Sequence, residues 1–529
     1  MSQIKPLEKT AILFLSLILS FLFVSATRIN SLGQALDQAY FLETIDTTFE
    51  TGHSTTMLGG SFVRVLQELI TAPVSKICEF QFENEGREYL SIYDRHSLLI
   101  LYGLAALKTI FPTTVIYYLC ALVAFPGLLL VVYLRSRNIG LPVIVSVILL
   151  LMVAFHPAWS YSAFGQFYAD KLFPILCIVY FFVLHDWITL DHRRPFLLLV
   201  IGILAASTSE RSIIMLVAGT LGVYALFGLR RRWSRLDILP LILILILGTY
   251  AYIYMYSIQQ NPDYGSFSSG FFNFVSAISM NAEVAKPIYK FLFINLLFLA
   301  PFAFFAKRWA LIALLSMIPN AIGSIGGAEK LGWTTHYHSA YFPFLIIAVV
   351  MGASSLLKTG SRALVPIAMT LAIGVTLLFA FLDPFPPPSI RFSLKQIGET
   401  GLVKTVEFTT ASGPAESVIN RVKYLKNIAA FIPPGSEVTT LESYMPVLYE
   451  KGVKWIHFYP LGLGRSDYLI VPYTQKDNVP KWEGFISYLG PDVAEQANLC
   501  LQNRINEQYT LVKAFPESAI TGTAILKRR

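Results

Sequence analysis

The stretch HSLLILYGLAALKTIF, residues His96–Phe111, decides how this chain threads through a membrane. It is apolar, yet as a helix it is only about 24 Å long, and a bilayer core takes about 20 helical residues. If the stretch crossed the membrane, every later basic cluster would move to the outer side. If it lies along the outer interface, or dips in and returns, all basic clusters share one side. Because loops rich in Lys and Arg stay cytoplasmic, the sequence predicts a juxtamembrane helix here.

Six basic clusters between the apolar stretches then fall on the cytoplasmic side. They are Lys5/Lys9, Arg135/Arg137, Arg193/Arg194, Arg230–Arg232 with Arg235, Lys307/Arg308 and Lys358/Arg362. Most polar residues that suit a chemical role fall on the opposite side. These are Asp37, Asp94, His96, Asp170, Glu210, His336 and His338. This shared sidedness predicts a protein that acts on a substrate at the outer membrane surface.

The composition is that of a polytopic membrane protein. The chain has 529 residues, of which 55% are hydrophobic and 14% charged, and its mean hydropathy is +0.58. Its net charge of +8 is explained mostly by the cytoplasmic loops. No basic stripe with interleaved aromatic residues is present, so no nucleic-acid partner is expected. The apolar run after Lys5 and Lys9 predicts an uncleaved first transmembrane helix rather than a signal peptide.

The four cysteines are too few for a disulfide framework. Cys120 and Cys177 lie in apolar spans, where cysteine acts as a small hydrophobic residue. Cys78 and Cys500 would both lie outside the membrane, so a bridge between these two stays open.

Eleven apolar segments are candidates for crossing the membrane. They are Thr10–Ala26, Thr114–Leu134, Gly140–Phe155, Lys171–Trp187, Pro195–Ser207, Ser212–Leu229, Ile238–Tyr256, Pro287–Ala306, Trp309–Ile322, Ser339–Leu357 and Ala363–Leu382. From a cytoplasmic N-terminus, eleven crossings place the C-terminus outside. The expected fold class is therefore a polytopic α-helical membrane protein with a small C-terminal α/β extracytoplasmic domain.

Three ranges make up the expected domain organisation. Residues 1–382 form a transmembrane module, within which residues 27–111 are a long outer loop with juxtamembrane helices. The run DPFPPP opens a proline-rich linker over residues 383–395. Residues 396–529 form the outer α/β domain, because strand-like runs alternate there with helical patterns. The runs are Glu437–Leu441, Lys454–Phe458, Asp467–Val471, Thr510–Phe515 and Thr523–Lys527.

The strongest local signal is Glu210 with Arg211, in STSERS between two closely spaced spans. Charges at such a depth usually face a cavity, and Arg211 suits a bidentate contact to phosphate. An ion pair between helices is the alternative. Asp170 and Lys171 stand at the mouth of another span. Snorkelling to the interface explains Lys171, whereas Asp170 has aromatic neighbours in sequence and few counter-charges.

Three more candidates come from the long outer loop. Asp37 could act as a general base toward a substrate hydroxyl, or it is an interfacial charge at a helix N-terminus. Asp94 and His96, in YDRHS, could orient a substrate or share a proton. Alternatively, Asp94 or Ser97 caps the helix that follows.

A last group precedes the tenth span. His336 and His338, in WTTHYHSAY, could bind a metal or donate hydrogen bonds to phosphate. Alternatively they are incidental members of an interfacial aromatic belt. Lys330 adds a contact for an anion.

Seven stretches of the chain resemble the GT-C superfamily of membrane glycosyltransferases, and more closely an uncharacterised bacterial integral-membrane family allied to it. They are LDQAYF (Leu36–Phe41), DRHSLLILY (Asp94–Tyr102), YADKLFP (Tyr168–Pro174), STSERSIIML (Ser207–Leu216), HYHSAYFPFLIIAVVMG (His336–Gly352), IPPGSEVTTLESYMPVLYEKG (Ile432–Gly452) and SDYLIV (Ser466–Val471). The resemblance implies a first span, an outer loop with an early acid, many further spans and an outer C-terminal domain.

The resemblance implies an inverting glycosyltransferase at the outer face of a bacterial inner membrane. It would move sugar from a polyprenyl-phosphate donor to a glycan, lipid or protein acceptor, with Asp37 as catalytic base. The residues expected to bind substrate or its phosphate are Arg211, Glu210, Lys171, Asp170, Asp94, His96, His336, His338 and Lys330. No metal ligand is assigned and no cofactor is certain, although a divalent metal is a possible one. The alternative is a non-catalytic transporter, or a lipid-handling or envelope scaffold protein in the membrane.

Overall fold

The computed structural model describes residues 6–18, 36–56, 74–84, 90–91, 93, 96–164, 168–228, 234–258, 282–322, 336–359, 363–381, 409–410, 413–414, 423–441, 444–453, 455–476, 479–482, 491–516 and 521–529. The described chain is mostly helical, with a small sheet near its C-terminus. It divides into two compact units. The helical unit comprises Met1–Arg28 with Tyr93–Ala415, and the sheet unit comprises Ile29–Ile92 with Glu416–Arg529.

The described part of the helical unit consists mainly of apolar helices. Its α-helices are residues 6–18, Ile100–Ala106, Thr113–Leu122, Leu128–Asn138, Val143–Phe155, Pro157–Phe164, Phe173–Leu190, Pro195–Ala206, Glu210–Val223, Leu239–Ile253, Ala282–Leu299, Arg308–Ser316, Ile318–Ile322, Phe342–Thr359 and Leu364–Phe381. A π-helical turn, Val123–Gly127, joins two of them into the continuous helix Thr113–Asn138. Pro126 lies inside this turn, where it removes one backbone donor.

Five helices among the described residues are long and apolar enough to cross a membrane. They are Thr113–Asn138, Ala169–Leu190, Glu210–Gly228, Arg235–Ile253 and Phe342–Thr359. Shorter apolar helices accompany them at Ile100–Thr109, Val143–Phe155, Pro195–Ala206, Ile288–Leu299 and Leu364–Ala380. These helices identify a membrane protein, while the number of eleven crossings stays a prediction.

Two of the expected spans are interrupted. The span expected over Pro287–Ala306 is α-helical only to Leu299 and resumes as a 3-10 turn, Ala303–Ala306. The next expected span is divided at Met317 into the helices Arg308–Ser316 and Ile318–Ile322. Apolar composition predicted both segments, but it could not show where the backbone hydrogen bonding changes.

The decisive apolar stretch is a short helix. It spans Ile100–Thr109, which is about 15 Å of helix and about half of a bilayer core. Leu101 and Leu104 are buried on one side, whereas Tyr102 and Ile110 are exposed. Its length fits the expected juxtamembrane helix, and its place at the outer interface stays a prediction.

Several of the basic residues predicted to be cytoplasmic are bonded to acids at helix ends. Arg135 makes a bidentate pair with Asp186, at 2.6 and 2.5 Å. Arg137 Nε donates to Glu8 Oε1 at 2.6 Å, and Tyr133 donates to the same oxygen at 2.7 Å. Paired arginine and carboxylate groups of this kind are charge-assisted and geometrically specific. They therefore join the first helix and Phe173–Leu190 to the end of Thr113–Asn138.

The sheet unit is built on one mixed sheet. The strands in chain order are β1 (Thr55–Thr56), β2 (Leu90–Ser91), β3 (Thr409–Thr410), β4 (Gly413–Pro414), β5 (Glu437–Thr440), β6 (Trp455–Phe458), β7 (Tyr468–Lys476), β8 (Val479–Trp482), β9 (Tyr509–Pro516) and β10 (Thr521–Arg528). The sheet order is β6-β5-β7-β10-β9, with β8 paired to β7. Strands β5, β6 and β7 are parallel, and β10 is antiparallel to β7 and β9. Each of the five strand-like runs of the sequence overlaps one of the strands β5, β6, β7, β9 and β10, which confirms a small sheet domain near the C-terminus.

The helices of the sheet unit come from both ends of its sequence. Residues 423–429, Met445–Glu450 and Pro491–Gln508 follow the membrane helices in sequence, whereas Leu36–Thr51 and Val74–Glu79 precede them. Burial within the sheet unit raises the pKa of the Tyr509 hydroxyl to about 12. Tyr509 Oη donates to Ser466 O and accepts from Gly464 N, so this buried hydroxyl is satisfied on both sides.

The segment around Phe82 is part of the core of the sheet unit. Phe82 is fully buried in one cluster with strand residues such as Val438 and Leu469. Cys78 forms a disulfide with Cys500, across a sequence separation of 422 residues. Arg504 Nη2 donates to Glu83 Oε2 at 3.0 Å.

This division differs from the ranges expected from the sequence. Residues 29–92 pack with residues 416–529 in the sheet unit, whereas the sequence assigned residues 27–111 to the transmembrane module. The physical reason is that the early segment supplies apolar side chains that complete the core of the later one. Periodicity within either segment alone does not reveal such a long-range contact.

Replacing Cys78 with Ser is expected to destabilise the sheet unit by about 2–5 kcal/mol, because a native disulfide restricts the unfolded chain. Mass spectrometry of a non-reduced digest should show the Cys78–Cys500 peptide pair in the wild type only. Proteolysis in increasing urea would report the loss of stability. Cys120→Ser is the control, since Cys120 is a free buried thiol. Free Cys78 and Cys500 thiols in the wild type would contradict this assignment.

Candidate functional site

The helix Glu210–Val223 begins at a buried cap within STSERS. Ser209 is its N-cap, and its Oγ accepts a hydrogen bond from Ser212 N at 3.2 Å. Thr208 Oγ1 donates to Ser212 Oγ at 2.7 Å, which satisfies a further buried hydroxyl. Helix N-termini favour negative charge, because unpaired N–H groups point outward there. Glu210, which is only 2% exposed, occupies the first helical position of this favourable end.

The carboxylate of Glu210 contacts the segment just before the helix Ile100–Thr109. Ser97 N donates to Glu210 Oε2 at 3.1 Å, and His96 Nδ1 lies 3.3 Å from Glu210 Oε1. Three residues after Ser97, Ile100 N donates to Ser207 O at 2.8 Å. Both oxygens of Glu210 are therefore engaged by the protein. Glu210 therefore fixes the position of His96, and its predicted contact with substrate stays a prediction.

Asp170 joins this site from the 3-10 turn Ala169–Leu172. Its side chain is buried and is hydrogen-bonded to Ser209. Among the neighbouring charges, Arg211 acts most strongly on Asp170, and Glu210 and His96 also act on it. The structure thus brings together four of the predicted residues and one further residue, Ser209. We name these five residues the polar cluster. Its members are His96, Asp170, Ser209, Glu210 and Arg211.

A chain of hydroxyl groups extends from the polar cluster. Ser97 Oγ lies 2.6 Å from Tyr250 Oη, and Tyr250 Oη donates to Tyr93 Oη at 2.9 Å. Tyr254 Oη donates to Tyr93 O at 2.8 Å. The ring centroids of Tyr93 and Tyr254 are 5.2 Å apart in an edge-on arrangement. The helix Leu239–Ile253 and its extension therefore hold the segment that carries His96.

Lys171 lines a small recess together with mostly apolar side chains. Phe125, Trp159 and Phe342 line it together with Lys171 and Ser339. Lys171 is only 3% exposed and is the charged residue of this lining.

His338 lies in an aromatic environment. It is fully buried on the 3-10 turn His336–Ser339, and its Nδ1 is 2.9 Å from Tyr341 Oη. The ring of Phe291 is 6.4 Å from it. A second buried histidine, His156, stacks on Phe342 at 4.8 Å. The turn of His338 packs against Ala169–Leu172, so His338 supports the elements that carry Asp170 and Lys171.

The structure does not place every predicted residue. Asp37 lies in the helix Leu36–Thr51, but its side chain is outside the described residues. The side chain of His336 is outside them as well. Asp94 and Lys330 also lie outside the described residues. Among the residues that the structure describes, no group of three or more histidine, cysteine or acidic side chains could hold a metal ion.

Sequence reasoning missed the polar residues that organise the cluster. Ser209 carried a detectable signal, because serine directly before an apolar helix is a frequent N-cap. Tyr250 carried none, since it lies 153 residues from the serine that it contacts. Ser97 acts partly through its backbone N–H, which every residue except proline possesses.

A scan against protein-family models and a search of the curated proteins found no match to this chain. The GT-C resemblance therefore depends on the short stretches of sequence quoted above. The chemical role of this chain is inferred from the polar cluster and the recess, whose residues the structure describes.

Replacing Tyr250 with Phe removes the hydroxyl shared by Ser97 and Tyr93. We expect a loss of about 0.5–1.5 kcal/mol in local stability. Hydrogen exchange of the amides of residues 97–100 should become several-fold faster, as measured by mass spectrometry. Tyr252→Phe on the same helix is the control, because its side chain is 64% exposed. Equal exchange in both variants would rule out a clamping role for Tyr250.

Proposed function

We propose that this chain is an inverting glycosyltransferase of the GT-C kind, which uses a polyprenyl-phosphate sugar donor at the outer face of the membrane. The observation that carries the proposal is the polar cluster. It combines a guanidinium, two carboxylates and an imidazole at the ends of apolar helices. Ionisable groups in such positions are costly and usually mark a substrate path.

The setting of the cluster supports a site at one membrane face. Asp170 and Glu210 each stand in the first turn of a membrane-length helix, Ala169–Leu190 and Glu210–Gly228. The apolar helix Pro195–Ala206 lies between them in sequence. If that helix crosses the membrane, the two helix starts share a side. The hydrogen bond between Asp170 and Ser209 agrees with this arrangement.

Arg211 and Lys171 supply the cations that a lipid phosphate needs. A guanidinium binds phosphate through two parallel hydrogen bonds, and it retains its charge at every relevant pH. Lys171 adds a second cationic side chain, which is buried and lines a recess of mostly apolar residues. Asp170 lies close enough to Arg211 to orient it electrostatically. These features support a phosphate-linked lipid as the donor.

The proposed reaction transfers the sugar in one displacement. The acceptor hydroxyl oxygen forms a bond to C1 of the sugar, and its proton passes to a base, for which Asp37 is the sequence-based candidate. The bond between C1 and the phosphate oxygen breaks, and its electron pair stays on the phosphate. Arg211 would stabilise the negative charge that develops there. The configuration at C1 inverts.

Two observations support an outer location. Lys358 stands in the last turn of Phe342–Thr359, the end remote from the turn that packs against Asp170 and Lys171. Basic residues favour the cytoplasmic side. The disulfide Cys78–Cys500 belongs to an oxidising compartment, such as the bacterial periplasm. Since both cysteines belong to the sheet unit, the chain would cross the membrane an even number of times between them.

Arg211→Met is expected to lower glycosyl transfer by roughly 100-fold, because a preorganised cation at the leaving group is lost. Lipid-linked glycans and surface glycoconjugates would be compared in a deletion strain rescued with each variant at equal protein level. Arg211→Lys should retain part of the activity, and Arg194→Met is the control for an exposed arginine. Identical glycans in the deletion and wild-type strains would favour transport or scaffolding instead.

Asp37→Asn is expected to abolish turnover while the protein still inserts and folds, because an amide cannot accept the acceptor proton. The same rescue strains provide the measurement, and protein level in membrane extracts serves as the folding control. Glu50→Gln is the matched variant, since Glu50 is an exposed acid on the same helix. Full rescue by Asp37→Asn would remove Asp37 as the base.

A further inference from the structure

The two ring nitrogens of His96 have different environments. Nδ1 lies 3.3 Å from Glu210 Oε1, whereas Nε2 makes no hydrogen bond within the described part of the chain. The side chain of His96 is 30% exposed and that of Glu210 only 3%. The ring is therefore anchored on its buried side and presents Nε2 on its open side.

This contact determines how the ring can exchange protons. A carboxylate accepts hydrogen bonds, so Glu210 favours the form in which Nδ1 carries a hydrogen. Proton exchange is thereby directed to Nε2, which donates a hydrogen when the ring is doubly protonated. Imidazole–carboxylate pairs with this geometry recur in enzymes that transfer protons.

The carboxylate is itself held in place. Glu210 Oε2 accepts from Ser97 N at 3.1 Å, and Ser97 Oγ lies 2.6 Å from Tyr250 Oη. Because Ser97 follows His96 in the chain, one backbone segment delivers both groups to Glu210. The imidazole position is thus defined by two hydrogen bonds on adjacent residues.

The surroundings place His96 next to the proposed phosphate site. His96 and Arg211 both act electrostatically on Asp170, so the imidazole and the guanidinium flank one buried carboxylate. The titratable or charged groups that face this region are Glu210 and Arg211 from one helix, Asp170 from its turn, Tyr250 from the next helix and Tyr93. A phosphate bound to Arg211 would lie among these groups.

We infer that His96 is the general acid for the phosphate leaving group and that Glu210 is its positioning residue, an inference that rests on the proposed function. As the bond from C1 to the phosphate oxygen breaks, that oxygen takes the hydrogen from Nε2 of the imidazolium. The imidazole keeps its Nδ1 hydrogen on Glu210, and water returns a proton to Nε2 before the next turnover. The acceptor proton leaves separately through the base.

The activity test compares His96→Gln with the wild type in detergent extracts mixed with membranes of the deletion strain, which contain the endogenous donor and acceptor. A general acid contributes on the order of 100-fold, so we expect that loss in His96→Gln. A reaction that needs the protonated ring slows as pH rises, and this alkaline limb should disappear in His96→Gln. Added imidazole should restore at least part of the activity of His96→Ala. His192→Gln is the control, because His192 is exposed and remote in sequence.

A general acid role is overturned if the alkaline limb persists in His96→Gln, or if that variant turns over like wild type. In Glu210→Gln the pH profile should change its shape, because the ring loses the group that holds its Nδ1 hydrogen. A variant that lowers the rate equally at every pH would show that Glu210 is only structural.

The pairing of His96 with Glu210 has its own test, which needs no activity. Nitrogen-15 spectra of histidine-labelled full-length protein in nanodiscs at pH 8 should show one ring with its hydrogen on Nδ1. That signal should be absent from His96→Gln, which assigns it. A signal for hydrogen on Nε2 in the neutral ring of His96 would overturn the inference. If the wild type transfers no sugar, the proposed function and the acid role both fall, while these spectra still decide the pairing.

Discussion

A buried carboxylate at the start of a membrane-length helix is the constraint on which the described site depends. Removing the charge of Glu210 from water is costly unless hydrogen bonds compensate it. The N-terminus of its helix, Ser97 N and His96 supply that compensation. To do so, the chain before the juxtamembrane helix has to lie across the start of Glu210–Val223. The same requirement therefore positions His96 and brings it to Asp170 and Arg211.

The sheet unit depends on a different constraint, because a small domain needs a complete apolar core to be stable. Strands β5 to β10 and their helices leave room that Phe82 and Ile77 fill from a segment more than 300 residues earlier. The disulfide and the Arg504–Glu83 pair then fasten that segment. Because one core is assembled from both parts, neither segment is a complete domain. In the proposed topology, both parts would have to reach the same side of the membrane before this core could form.

The adjacent residues Asp170 and Lys171 have different surroundings. Asp170 and Lys171 follow each other in one 3-10 turn, yet Asp170 belongs to the cluster and Lys171 to the apolar recess. Successive side chains in such a turn point in different directions. A single short turn can therefore place a carboxylate near a guanidinium and a lysine side chain at an apolar recess.

The sequence by itself determined the class of protein, the apolar helices, the small α/β domain and most members of the polar cluster. Composition and periodicity are local properties, and they suffice to predict helices and strands. Charged residues beside apolar spans are also informative because burying a charge is costly. Only the tertiary structure decided that Glu210 contacts His96 and that Tyr250 contacts Ser97. It likewise decided that Cys78 meets Cys500, because contacts between distant segments depend on how helices and core side chains pack, which no local pattern encodes.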